Sequence, residues 1–193
     1  MIFLTGGTGF LGRHLVPALC RAGYPMRVLT RHPEANAWLK RYPQVEIAPG
    51  DLLDSEAVLK GMQGCQYVIH AGGMFRFWGD ESEFAATNAL GTEHVLAAAV
   101  HNDIQRLVHV STIAVIGEPD PSRIVDETHP AHPADAYQRS KWQAEQAAVR
   151  YFQDYQLPVV VIRPGAYYGP LGHYAFNRLF FRDPMRGIIM QVN

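Results

Sequence analysis

Tyr137 and Lys141 stand four residues apart in a segment of helical period, so a phenol and an ammonium share one helix face. A free phenol titrates near about 10, and a tyrosine acting as general acid or base near neutral pH needs a cation to hold its phenolate. Lys141 can supply that cation. The same spacing is also common on helix surfaces, where it is an exposed aromatic beside a solvated lysine. Two hydroxyls, Ser111 and Thr112, close the apolar run Leu107-Val108-His109-Val110. A hydroxyl there can hydrogen-bond a substrate oxygen or simply satisfy backbone groups at a strand end.

A second constellation lies at the N-terminus. An apolar run leads into Thr5-Gly6-Gly7-Thr8-Gly9-Phe10-Leu11-Gly12 and then into a helical pattern. Glycines at 6, 9 and 12 permit a tight turn, close approach of backbone to a pyrophosphate and close packing of helix on strand. The expected ligand is a dinucleotide. About 20 residues on, where an acid would bind the ribose 2′-hydroxyl of NAD, stands Arg31, whose guanidinium suits the 2′-phosphate of NADP, with Arg13 as a helper. NADP is therefore the favoured cofactor and NAD the alternative. In Gly50-Asp51-Leu52, Asp51 can accept from the adenine amino group, with Leu52 against the ring, or can cap the helix beginning near Ser55. The run ending His70-Ala71-Gly72-Gly73 offers small residues on which a ligand can lie.

Positioning these groups requires a layered fold. Six apolar runs, at residues 1–5, 26–31, 45–48, 65–70, 106–112 and 158–163, alternate with helical segments at 10–22, 34–41, 55–62, 81–102 and 134–155. This is the pattern of a Rossmann-like doubly wound parallel sheet with helices on both faces. Several runs lack alternation, as strands covered on both faces should. With 48% apolar and 18% charged residues in 193, one globular domain with its own core is expected. A net charge of −1 gives no footprint for nucleic acid or an anionic membrane. Cys20 and Cys65 form no CxxC pair, and the histidines, including His129, His132, His94 and His101, lack partners at ligand spacing, so neither a disulfide framework nor a metal site is expected. Without an export signal or an apolar span, the expected home is the reducing cytoplasm.

In these motifs the chain resembles the extended short-chain dehydrogenase/reductases, the group holding nucleotide-sugar epimerases and dehydratases, dihydroflavonol reductases and 3β-hydroxysteroid dehydrogenases. The family's TGxxGxxG corresponds to Thr5–Gly12, its adenine-contacting Asp-Leu to Asp51-Leu52 and its HxAA to His70-Ala71-Gly72-Gly73. NxxGT is matched by Asn88–Thr92, the serine/threonine motif by Ser111–Gly117, YxxxK by Tyr137–Lys141 and RPxxxYGP by Arg163–Pro170. The resemblance implies a Thr112/Tyr137/Lys141 site, in which Thr112 orients the substrate oxygen, Tyr137 exchanges the proton and Lys141 also binds the nicotinamide ribose. It further implies cofactor contacts at Thr5, Gly6, Gly9, Phe10, Leu11, Gly12, Arg31, Asp51, Leu52, His70, Ala71, Gly72 and Pro164, besides Tyr137 and Lys141. Gly72, Gly73, Ile116, Ala166 and Arg31 depart from the usual pattern without removing a catalytic group.

The resemblance divides the chain into a nucleotide-binding domain at 1–170 and, at 171–193, the start of a truncated substrate lobe, with the helix-like Tyr174–Phe181 and the run Gly187–Val192. The expected activity is hydride and proton transfer at a carbonyl or hydroxyl carbon of a small molecule, in a reductase or dehydrogenase. A sugar epimerase or dehydratase, and a non-catalytic nucleotide-binding or redox-sensing fragment, are the alternatives. The aromatic run Met74–Gly79 is expected on the rim, lining a pocket for an apolar substrate or packing under a loop. The helices at 81–102 and 134–155 are expected to pair across a two-fold axis in a homodimer.

Overall fold

A computed structural model describes residues 1–172 except Phe77, Pro121 and Arg123, together with Asn177, Arg178 and Met185. The apolar runs form β1 (Ile2–Thr5), β2 (Met26–Thr30), β3 (Val45–Pro49), β4 (Tyr67–His70), β5 (Arg106–Val110) and β6 (Val159–Ile162). All pair in parallel, in the order β3-β2-β1-β4-β5-β6. The order reverses beside β1, so the C-terminal ends of β1 and β4 flank the crevice in which sheets of this kind take ligands.

Period-two alternation sends Phe3 to one face and Ile2 and Leu4 to the other. On the first face Phe3, Val68 and Leu107 pack with Val58 and Met62 of α2 (Ser55–Met62), Val95, Leu96 and Ala99 of α4 (Gly91–His101), and Ala147 and Ala148 of α5 (Ala136–Tyr155). On the second, Ile2, Leu4, Met26 and Val28 meet Val16 and Cys20 of α1 (Phe10–Arg21) and Leu39 of the 3-10 segment Glu34–Arg41. Each Val, Leu, Ile, Phe or Met among them contributes about 1.5–3 kcal/mol by leaving water. Helices therefore cover both faces, but unequally. Among the described residues the covering is thinnest at β6, where Val160 is 39% and Ile162 40% exposed. The buried residues described in the second layer come from β1, β2 and the helices beside them.

Local hydrogen bonds account for the other departures. The segment 81–102 is not one regular helix: α3 (Glu81–Phe84) continues through a π-helical stretch, Ala85–Leu90, into α4. That stretch holds Asn88, whose amide takes the Met74 N–H at 2.6 Å and donates to the Met74 carbonyl at 3.0 Å. Within Glu34–Arg41, Asn36 leaves helical geometry and donates to the His32 carbonyl at 2.9 Å. The last helix, α5, begins at Ala136 because Asp135 caps it, accepting from the Gln138 N–H at 2.7 Å while the Gln138 side chain reaches back to the Ala134 N–H.

Among the described residues no helix is long and apolar enough to cross a membrane, and no three His, Cys, Asp or Glu side chains gather as metal ligands. Cys20 and Cys65 are buried free thiols. Tyr174–Phe181 and Gly187–Val192 lie outside the described residues, apart from Asn177 and Arg178.

Candidate active site

The turn after β1 is shaped by crowding from within the protein. Gly6 has φ +72° and its backbone lies so close to Ala71 that a Cβ would sit 2.4 Å from the Ala71 carbonyl oxygen. A Cβ on Gly12 would meet the Gly7 carbonyl at 2.3 Å. Gly9 is different: it is exposed, and a Cβ there meets only the Gly6 oxygen at 3.3 Å. As N-cap of α1, Gly9 offers no side-chain cap, and the first turn from Phe10 through Leu11 holds no acid. Its N–H groups therefore remain available to an anion, and the residues present fit a pyrophosphate.

Behind the turn runs a string of buried polar groups. Thr5 and His70, expected at the cofactor, are each 1% exposed and face one another, with the Thr5 hydroxyl 2.6 Å from His70 Nδ1. The Thr92 hydroxyl donates to the Asn88 carbonyl, so its oxygen accepts from His70 Nε2 at 2.9 Å, which assigns the Nε2–H tautomer and makes Nδ1 the acceptor from Thr5. The Thr5 oxygen in turn accepts the Gly72 N–H at 3.0 Å. The Thr5 and His70 side chains thus hold the ends of β1 and β4 from behind, while Ala71 and Gly72 are half-buried at the edge.

At the ends of β2 and β3, Arg31 and Asp51 lie 3.7 Å apart, 70% and 38% exposed. Asp51 does not cap α2; Asp54 does, accepting from the Ala57 N–H at 2.9 Å, whereas Asp51 accepts from the Leu53 N–H in its own turn. Leu52 lies against Gly72 and Gly91, and its carbonyl pairs with His94 Nδ1 at 2.8 Å. Arg13, the expected helper, sits with its guanidinium over the Trp38 ring at 5.3 Å.

The third group gathers at the ends of β5 and β6. Thr112 caps the 3-10 segment Ile113–Ile116 by accepting the Ala114 N–H at 3.2 Å, and Ile113 donates to the Pro164 carbonyl at 2.9 Å. Tyr137, in the first turn of α5, is half-buried, with the Thr112 side chain near enough to act on its phenol. Burial raises the phenol's pKa, the Thr112 hydrogen bond opposes that, and the Asp135 charge adds to it. Lys141, one turn further along α5, is 5% exposed. Its ammonium is 2.9 Å from the Val110 carbonyl, and burial brings its pKa down to about 8 against the pull of Glu145. Phe75 meets the Tyr137 ring edge-on at 5.0 Å and Phe84 at 6.2 Å, which places the expected aromatic wall beside the phenol.

Sequence reasoning missed the residues that hold this group together. Asn88 also donates to Ser140 Oγ at 2.9 Å, tying the loop after β4 to α5. Glu145 is 3% exposed; Ser111 donates to it, and Arg163 reaches it with Nε at 3.1 Å and Nη2 at 2.6 Å. The available signal was spacing: Tyr137, Lys141 and Glu145 follow one another at four-residue steps on one face.

A model of the NAD dependent epimerase/dehydratase family matches residues 2–182. The chain belongs to this family. Among curated members, it is 40% identical over 169 residues to the 4-hydroxy-2-methyl-3-oxo-4-farnesyl-3,4-dihydroquinoline-1-oxide ketoreductase of Stigmatella aurantiaca, covering 86% of this chain and 50% of that protein. It is 35% identical to a putative dihydroflavonol 4-reductase of Synechocystis, covering 87% and 49%. A solved family member, a dTDP-glucose 4,6-dehydratase double mutant from Streptomyces venezuelae with NAD bound, superposes with TM-score 0.86 at 30% identity, covering 97% of this chain and 62% of that one. The chain thus spans about half the length of the curated relatives it matches.

Proposed function

We propose that this chain forms the nucleotide-binding and proton-transfer part of an NADP(H)-using reductase or dehydrogenase acting at a carbonyl or hydroxyl carbon of a small molecule. The observation that carries this reading is the gathering of Thr112, the first turn of α5 with Tyr137, and the Lys141 ammonium at the C-terminal end of β5, the same sheet edge as the glycine turn. A nicotinamide nucleotide seated on the turn would supply or accept the hydride. The turn's N–H groups and Gly9 would hold its pyrophosphate, Leu52 and Asp51 its adenine, and Pro164 and Lys141 its nicotinamide end. Thr112 orients the substrate oxygen and Tyr137 exchanges the proton with it, since a buried phenol of raised pKa holds its proton until an acceptor arrives. The Lys141 ammonium, which uses one of its three donors on the Val110 carbonyl, would make the resulting phenolate tolerable from one helical turn away. Phe75, 46% exposed beside Tyr137, suits an apolar substituent next to the reacting carbon, in keeping with a relative named for a farnesylated ketone.

Arg31 supports NADP. The opposing observation is Asp51, whose carboxylate beside Arg31 would repel a 2′-phosphate and so favours a second reading, an NAD-using epimerase or dehydratase. Titrating the chain with NADPH and NADH, by nicotinamide fluorescence and thermal shift, separates the two. NADPH should bind at least about tenfold tighter, and Arg31→Ala should erase the difference; equal affinities would leave the NAD reading standing. Tyr137→Phe should keep nucleotide affinity while lowering turnover of carbonyl substrates by about 100-fold or more; undiminished turnover would remove Tyr137 from its role. A second copy of the chain is proposed for the groove between the π-helical stretch and α5, lined by Ala86, Ala89, Leu90, Trp142 and Arg150.

A further inference from the structure

A buried carboxylate bound at both of its oxygens has no part in the reaction above. Glu145 lies on α5 one turn beyond Lys141, 3% exposed, and its carboxylate accepts from elements that meet nowhere else in this way. Ser111, at the end of β5 and next to Thr112, donates to Oε1. Arg163, just past β6 and before Pro164, donates from Nε to both oxygens at 3.1 Å and from Nη2 to Oε2 at 2.6 Å. One carboxylate therefore ties together the three segments that carry Thr112, Pro164 and the Tyr137/Lys141 face.

A buried ion pair is weak evidence for stability, because desolvating both charges offsets their attraction. A fork geometry with a third donor is better understood by what it positions. We propose that Glu145 is a positioning residue for the Thr112/Tyr137/Lys141 group, holding the ends of β5 and β6 against α5 and placing a buried carboxylate one helical turn from the Lys141 ammonium. This rests on the reading of that group as the proton-transfer site.

The surroundings of Lys141 explain why it needs such a neighbour. His70 of β4 and His109 of β5 face it, both buried and both pushed toward the neutral form by burial and by the Lys141 charge. Tyr137 is on its own helix, and Arg163 adds a second cation beyond Glu145. The Val110 carbonyl is a dipole, not a charge. Of the ionisable groups around the ammonium, Glu145 is the one that raises its pKa against burial. Without it a lysine so enclosed would lose its proton nearer neutrality, and with it the ability to stabilise a phenolate.

The lysines of this chain are Lys40, Lys60 and Lys141, so their 13Cε signals can be assigned by single substitutions and followed through a pH titration that needs no turnover. Lys141 should titrate near 8. In Glu145→Gln its midpoint should fall by about one pH unit or more, the size expected on losing a close opposite charge, while Lys40 and Lys60 stay where they were. In Arg163→Gln, which leaves the carboxylate and removes its counter-charge, the midpoint should rise. A merely structural role would not move Lys141 in opposite directions. An unchanged Lys141 midpoint in folded Glu145→Gln overturns the proposal; if that variant does not fold, an unchanged or lowered midpoint in Arg163→Gln overturns it instead. Nucleotide titration of the same samples keeps the two ideas apart, since failure to bind NADPH or NADH counts against the oxidoreductase reading and not against the Lys141 measurement.

Discussion

A methyl group added at Gly12 would press backbone on backbone, 2.3 Å from the Gly7 carbonyl, with no side chain able to yield. At Gly9 the same group would meet one oxygen at 3.3 Å, with φ at an ordinary −78°. The two glycines are therefore there for different partners, Gly12 for the protein and Gly9 for whatever approaches the turn from outside. Gly12→Ala should cost at least about 3 kcal/mol and lower the unfolding midpoint by roughly 6–12 °C. Gly9→Ala should leave that midpoint within a few degrees yet weaken nucleotide binding about tenfold or more. Thermal unfolding and a nucleotide titration on both variants would check this, and a Gly9→Ala chain that binds normally would remove the pyrophosphate from that position. The sequence showed these glycines as one motif because spacing alone does not reveal which neighbour each one meets. The role of Gly72 is legible only in three dimensions: a Cβ there would sit 2.9 Å from Thr5 Oγ1, the atom that accepts the Gly72 N–H.

Between β4 and β5, His70 and His109 stand opposite each other in the ladder with ring centroids 5.2 Å apart. His70 is bound at both nitrogens, whereas neither nitrogen of His109 has a hydrogen-bond partner. Burial lowers the pKa of His70 from 6.5 to about 3 and that of His109 in the same direction. Below about 6.5 the unfolded chain binds protons that the folded chain refuses, so stability is lost as pH falls through the window from 6.5 toward 3. For His70 alone this is on the order of 2 kcal/mol at pH 5. Denaturant melts at pH 7 and pH 5 should show the loss; His109→Leu should shrink it without destabilising the protein at pH 7, because it removes two unsatisfied buried nitrogens. A His109→Leu chain with the full acid loss would assign the effect elsewhere. The strands themselves were legible because their β-branched runs are short and regularly spaced. The π-helical stretch was not, since Asn88 takes its partners from Met74 and Ser140, 14 and 52 residues away. The cap at Asp135 was within reach of the sequence, in the Asp-x-x-Gln spacing that precedes an apolar helix face.

At the scale of the molecule, the doubly wound order followed from alternation of run and helix, and the motif order placed the site at one sheet edge. The uneven covering of the sheet did not follow. A run such as Val159-Val160-Val161-Ile162 is equally compatible with a strand packed on two sides and with one that has a half-exposed side, and the topology decides between them by putting β6 at the edge. The same topology has a consequence in time. β1, synthesised before β4, becomes an interior strand, and Thr5 waits for His70, 65 residues later, before its hydroxyl is satisfied. At the usual pace of translation of 5–20 residues per second, that is an interval of about 3–13 s during which the glycine turn lacks its support. A growing chain of this kind should acquire nucleotide-dependent protection from proteases only after β4 has left the ribosome, so the ligand can act on its folding late in synthesis and not at its start.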